Sequence, residues 1–301
     1  MTYQKEVSDY LTKNFDLRPN SVKLYSLKLN QLHKDLGIDY KDGFKNYNAI
    51  FNYIKDFKVD KAIAFIHAII YILDSSNHLI DIYKNKRSEL SKIKAEKYEN
   101  NTKSDNFIDY DKLYNLYIKP DFNDDLKIVL NRMLLYIAIR YPMRNELGNI
   151  EIASKKSDMV NPNTNYLYIT TRNMWFYMNQ YKNVSSMGPI NIPIEKEDQT
   201  VIREYLKFLK NNKINSKRFL LNYYGGINEF LTNDLFGSKL KLLLKYNFPK
   251  NNLTMNDIRK AYETKLINSD EYKSMTNKEK QKKHNKLLHP MAAAHKAYNQ
   301  V

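Results

Sequence analysis

Leu126-Lys127-Ile128-Val129-Leu130-Asn131-Arg132-Met133-Leu134-Leu135-Tyr136-Ile137-Ala138-Ile139 runs straight into Arg140-Tyr141-Pro142-Met143-Arg144-Asn145-Glu146-Leu147. Ile128, Val129, Leu130, Met133, Leu134, Leu135 and Ile137 make the first part a helix buried in a core. Pro142 breaks it, because proline lacks the N–H that would extend the ladder and its ring clashes with the preceding turn. Arg144 follows the break and is held by scaffold on both sides. Beyond it the pattern changes from helical to strand-like. Leu147 to Ile152 reads as a strand, Asn161 to Asn165 as a turn cluster, and Tyr166–Thr170 and Met174–Tyr181 as aromatic, β-branched strands. Lys182 to Gly188 then turns the chain, and Pro189 to Ile194 alternates as the returning strand. Lys182 therefore sits where a strand meets a hairpin loop.

Upstream, the chain reads as helix throughout. Residues 3–14 form a weak first helix. Arg18-Pro19-Asn20-Ser21 opens a stronger one, with Val22, Tyr25, Leu29, Leu32 and Leu36 on one face. Phe44–Phe57 and Asp60–Leu73 follow, the latter apolar nearly all round, and a charged fifth helix runs from His78 to about Lys97. Lys97 to Asn106 loses all hydrophobic period and reads as a linker. This predicts a helical domain over 1–96, a linker over 97–106 and a second domain over 107–301. The fold class is mainly α with a small antiparallel β-sheet.

Downstream of the sheet, helices resume. One spans about Lys196–Lys210. Another spans about Ile227–Tyr246, interrupted near Gly237. Thr254 with Asp257 makes a capping-box start. It puts Asn256 and Arg259 one turn apart at a helix N-terminus, where partial positive charge favours a phosphate. Thr276 with Glu279 opens a lysine-rich helix leading into Leu287-Leu288-His289-Pro290-Met291-Ala292-Ala293-Ala294-His295-Lys296-Ala297-Tyr298. Pro290 suits a first helical position and the alanines favour helix, so His289 stands at the mouth of a short helix and Tyr298 near its end.

Composition narrows the function classes. At 301 residues and 43% hydrophobic content the chain can bury a proper core. It has no cysteine, hence no disulfide framework, thiolate metal site or Cys nucleophile. This fits an intracellular protein. The net charge of +16 points to a polyanion, most simply nucleic acid, although AT-rich coding would also raise the lysine count. Met1-Thr2-Tyr3-Gln4-Lys5-Glu6 carries no secretory signal, and the longest apolar run, Ala62 to Leu73, is too short to span a bilayer. The seven glycines form no phosphate-cradling motif. There is no HExxH, and the six histidines show no metal-ligand spacing. Neither a metal nor ATP is expected.

Arg144, Lys182, Asn256, Arg259, His289 and Tyr298, taken in order, resemble the catalytic set of the tyrosine recombinases, the integrase family that cuts and rejoins DNA through a phosphotyrosine. That family places a His nine positions before its nucleophilic Tyr, the spacing of His289 and Tyr298. Its first Arg lies between a helix and the first strand, in a G-x-R-x-x-E-L setting. Arg144 has that place, without the Gly and with Glu146 one position early. Its Lys lies on a β-hairpin, as Lys182 does. Its second Arg belongs to an H-x-x-R motif opening a helix. Arg259 fits, with Asn256 where His is usual. The look is closest to divergent members from large DNA viruses and eukaryotic mobile elements.

The resemblance implies a helical core-binding domain, a linker and a mixed catalytic domain. It implies Tyr298 as nucleophile, Arg144 and Arg259 on the phosphate oxygens, His289 on the phosphate or the Tyr proton, and Lys182 as general acid. Double-stranded DNA would be the partner, and the chain would form a homo-oligomer, a dimer on one site and a tetramer in synapsis. No membrane is involved, and the place of action is with DNA in the nucleus, a viral factory or the bacterial nucleoid. Alternatives stay open for individual residues. Lys155, Lys156 or Arg172 could supply the acid in place of Lys182. Arg144 could pair with Glu146, Arg259 with Asp257 or Glu263, and His289 could be a plain N-cap. At the level of function, a type IB topoisomerase-like enzyme and a non-catalytic DNA-binding protein on the same fold are the alternatives. Many relatives continue past the Tyr with a segment that docks on a neighbouring protomer. Only three residues follow Tyr298, so assembly is expected to use another surface, or the natural chain to be longer.

Overall fold

The computed structural model describes residues 2–17, 19–73, 77–100, 108–116, 119–223, 227–228 and 231–291. The chain divides into two compact units, Met1–Asn101 and Thr102–Val301. It is mainly helical, with a small mixed sheet in the second unit.

The first unit packs α1 (Tyr3–Asn14), α2 (Pro19–Leu36), α3 (Tyr47–Ile54), α4 (Val59–Ile72) and α5 (Ile80–Asn100). Val22, Tyr25, Leu29 and Leu32 of α2 are buried, and Leu36 packs at the edge of the same core. The third helix is shorter than its apolar pattern suggests. Asn46 caps it by accepting from the Ala49 N–H at 3.2 Å. Gly43 and Phe44 before it take positive φ, which turns the Phe44 ring into the core. Tyr83 of α5 donates to the Phe44 carbonyl at 2.8 Å, fixing that turn. α5 continues to Asn100, so helix replaces the first residues of the stretch that reads as a linker. The remainder, 101–107, lies outside the described residues. Among the described residues no helix is long and apolar enough to cross a membrane.

The second unit begins with α6 (Tyr110–Leu116) and α7 (Leu126–Arg140). Val129, Leu130 and Met133 to Ile139 of α7 are all buried, so this helix is enclosed on nearly every side. Tyr110 donates to the Ile139 carbonyl at 2.7 Å. After Pro142 the chain makes a 3₁₀ turn over Asn145–Asn149, and only then the strand β1 (Ile150–Ala153). β2 (Asn165–Ile169), β3 (Met174–Met178), the short helix α8 (Val184–Met187) and β4 (Ile190–Pro193) complete the sheet, in the order β1-β2-β3-β4.

The sheet is mixed rather than antiparallel. β2–β3 and β3–β4 are antiparallel, but β1 and β2 run parallel. The cause is the connection from Ser154 to Thr164, which carries its own 3₁₀ turn at Lys156–Asp158 and brings the chain back to start β2 beside the start of β1. The other edge of β1 is covered by the segment around Arg218, through Ile152 N–H to Lys217 O at 2.7 Å and Phe219 N–H to Ile150 O at 3.0 Å. Trp175 stacks on Tyr168 across β2–β3 with ring centres 5.7 Å apart, a sheet-packing role.

α9 (Lys196–Asn211), the two-residue strands β5 (Asn222–Tyr223) and β6 (Ile227–Asn228), α10 (Asn233–Asn247), α11 (Met255–Asn268), α12 (Asp270–Ser274) and α13 (Asn277–Asn285) follow. α10 starts later than its apolar run, with Thr232 accepting from the Leu235 N–H. It passes through Gly237 without a break. The glycine is there for packing: a Cβ on it would lie 2.6 Å from the Asn145 side-chain amide. Gly148 meets the same helix about as closely, and against backbone as well, its added Cβ falling 2.7 Å from Phe236 Cβ and 2.9 Å from the Thr232 carbonyl. Gly148→Ala should therefore push the 3₁₀ turn off α10 and cost about 1–3 kcal/mol, the usual range for overpacking. Chemical denaturation measures this, and an unchanged midpoint would show that the two elements are less tightly packed than their geometry implies.

Candidate active site

The site is built on the loop between α7 and β1. The end of α7, broken by Pro142, is held in place by a buried carboxylate. Asp198, in the first turn of α9, accepts from Tyr136 Oη at 2.6 Å, Arg140 Nε at 2.7 Å and Tyr141 Oη at 2.7 Å. Arg140 also reaches Glu197 at 2.9 Å and lies over the Tyr114 ring. Burial first, and then the Asp198 charge, push the Tyr136 and Tyr141 phenols far above their usual range, so both stay neutral donors. With the helix end clamped, Pro142 turns the chain and Arg144 emerges from a fixed place.

Arg144, Asn145, Glu146, Lys182, Lys241 and Asn256 line one cleft of about 410 Å³, together with residues at the N-termini of α10 and α11. The Arg144 Nε is buried with no hydrogen-bond partner. Asn256 comes from the first turn of α11, where Asp257 accepts from Thr254 N at 2.8 Å and Thr254 Oγ1 at 2.6 Å. Three of the six sequence-predicted residues thus share a cleft. Lys155 and Lys156 are exposed beyond β1 and Arg172 is exposed at the β2–β3 turn, and none of them lines it.

Arg259 is fully buried rather than cleft-facing. Its Nη1 donates to the Pro142 carbonyl at 2.9 Å, so it holds the Arg144 loop from the core side. His289 is also buried and does not line the cleft. Its Nε2 lies 2.8 Å from Glu263 Oε2, and its Nδ1 lies 3.0 Å from the Pro290 carbonyl. Burial pushes the Glu263 carboxyl up, but the contacts with His284 and His289 outweigh it and hold the group below the ordinary range. Tyr298, His295 and the rest of the alanine-rich segment lie outside the described residues.

These groups are tied together by a chain of bonds across distant sequence. Arg259 of α11 bonds Pro142. Glu146 accepts from the Lys182 backbone N–H at 3.2 Å. Asn183, next to Lys182, donates to the Leu288 carbonyl at 3.1 Å. His289, next to Leu288, returns to α11 through Glu263. The circuit joins the Arg144 loop, the β3–β4 connection, the His289 segment and α11.

Glu263, His284 and Lys241 have no role in the sequence reading. Glu263 is visible there only as a neighbour of Arg259 one turn on and Lys241 only as one of many lysines, whereas His284 and His289, with four residues between them, do carry the H-x₃₋₅-H spacing of metal ligands, a signal the sequence reading passed over. No protein-family model matches the chain, and no curated protein matches its sequence. The residues and their geometry therefore carry the functional argument.

Proposed function

We propose that the chain is a DNA strand transferase of the tyrosine-recombinase type, cutting and rejoining duplex DNA through a covalent 3′-phosphotyrosine at Tyr298. The observation that carries this reading is the circuit just described. Residues 142–146, 182–183, 256–263 and 288–289 come from four separate parts of the chain. They are also the parts in which the resemblance puts the two arginines, the lysine, the H-x-x-R position and the histidine. The net charge of +16 supports a polyanionic partner, and the helical first unit fits a core-binding domain.

In this mechanism the scissile phosphate sits against Arg144, with the first turn of α11 at Asn256 offering backbone N–H groups to a non-bridging oxygen. Arg259 keeps the Arg144 loop in place through Pro142. The Tyr298 oxygen attacks phosphorus, its phenol proton passing to water, and the bond to the 5′ oxygen breaks. Lys182 gives that oxygen its proton. A 5′-hydroxyl from another strand reverses the steps, and the phosphodiester energy is kept in the phosphotyrosine bond. Guanidinium and backbone donors offset the extra charge of the pentavalent transition state.

Tyr298→Phe is the direct test. Wild-type protein on a nicked suicide duplex should accumulate a covalent adduct that survives denaturing electrophoresis, and the variant should form none. A wild type that yields no adduct on such substrates, or a variant that still yields it, rejects the proposal. DNA carrying two sites then distinguishes strand exchange from simple relaxation of supercoils.

A further inference from the structure

α11, α13 and the segment after α13 enclose a cluster that the DNA chemistry does not use. Glu263 and His284 are fully buried and His289 is nearly so. One ligating atom from each lies within 4.8 Å of the others. His289 Nε2 is 2.8 Å from Glu263 Oε2, and His284 Nδ1 is 3.1 Å from Glu263 Oε1. The second approach is off the hydrogen-bond axis, and Glu263 Oε1 and His284 Nδ1 are both buried with no hydrogen-bond partner. Two facing polar atoms this close are satisfied by a shared proton or by a cation lying between them.

The outward nitrogens of the two rings are engaged elsewhere. Tyr272 Oη is 2.6 Å from His284 Nε2. The Pro290 carbonyl, which can only accept, is 3.0 Å from His289 Nδ1. That carbonyl puts an N–H on Nδ1 and turns Nε2 inward as the ligating atom. Such outer partners orient metal-binding histidines.

We propose that Glu263, His284 and His289 bind a single divalent transition-metal ion, with Zn²⁺ the best match. Two imidazole nitrogens and one carboxylate oxygen are a zinc donor set, whereas magnesium and calcium prefer oxygen alone. Zinc–ligand bonds of about 2.0–2.2 Å place tetrahedral ligand atoms about 3.3 Å apart. The two histidine–carboxylate separations, one to each Glu263 oxygen, need to widen by up to about 0.5 Å, and the widest separation, within 4.8 Å, has to close toward the same value. Because the cluster is buried, the ion acts structurally: it staples α11 to α13 and to the His289 segment that leads toward Tyr298. The fourth position is left for a water or another ligand. The proposal does not depend on the DNA reading, since its test reads metal content and not activity.

Full-length protein, free of any histidine tag, is stripped with chelator, checked for folding by circular dichroism and titrated with Co²⁺ and Zn²⁺. The expected result is a visible d–d band of tetrahedral intensity saturating at about one Co²⁺ per chain and displaced by Zn²⁺. Glu263→Gln and His284→Gln should each weaken binding by about 100-fold or more, and Tyr272→Phe, which keeps all three ligands, by about 10–100-fold. Folded wild-type protein without a saturable band overturns the proposal. So does a band of unchanged affinity in both ligand variants. Should those variants not fold, the wild-type titration decides by itself.

Discussion

On the proposed strand-transfer mechanism, Arg144→Ala should lower the rate of DNA cleavage by about 10³-fold, in the range seen when a single guanidinium is lost from a phosphoryl-transfer site. The same change leaves the melting temperature almost untouched. Arg144 lines the cleft and its Nε has no hydrogen-bond partner in the protein, so truncation removes little that the fold depends on. Arg144→Lys should recover only part of the rate, because an ammonium brings the charge without the paired donors that match two phosphate oxygens. Single-turnover cleavage of a suicide duplex, run beside calorimetry of the same samples, checks both halves. Unimpaired cleavage in Arg144→Ala would remove this side chain from the chemistry. A large fall in melting temperature would mean that its role is structural.

Asp198→Ala should have the opposite profile, a loss of stability of about 3–5 kcal/mol, the cost of breaking a buried charge pair by removing one partner. Asp198 is 2% exposed and accepts from three donors on or beside the end of α7. Truncation leaves the Arg140 guanidinium, whose side chain is 13% exposed, with only the exposed Glu197 as a carboxylate partner, and leaves two buried phenols without that acceptor. Asp198→Asn keeps the shape but loses the charge, and should fall between wild type and Ala. For a unit of this size each kcal/mol corresponds to about 2–4 °C in melting temperature, so the Ala variant should melt at least several degrees lower. A shift of under about one degree would show that the cluster contributes far less than its hydrogen bonds suggest. DNA cleavage should suffer only secondarily, through the mispositioned end of α7.

Local pattern made much of the fold legible. The dense apolar run of α7, except for Ile128, which is exposed rather than buried, and the break at Pro142 appear as read, as do the one-sided face of α2 and the Thr254–Asp257 start of α11. Each depends on residues within a few positions of one another, where periodicity and capping chemistry act directly. The departures share one cause. Nothing near β1 announces that β2 will return parallel to it, and nothing near Gly237 distinguishes a helix break from a close approach by Asn145. Both outcomes are settled by elements far away in sequence.

The candidate site divides along the same line. From the sequence alone came the residue types, their order, the nine-residue step from His289 to Tyr298 and the net charge of +16. Only tertiary structure decides that Arg144, Lys182 and Asn256 share a cleft while Arg259 is buried behind Pro142, 117 positions earlier in the chain. It also decides that His289 turns toward Glu263 and His284. The reason is physical: a side chain's burial, and the partner that offsets its desolvation, depend on whatever the folded chain brings within a few ångströms, and no local spacing encodes that.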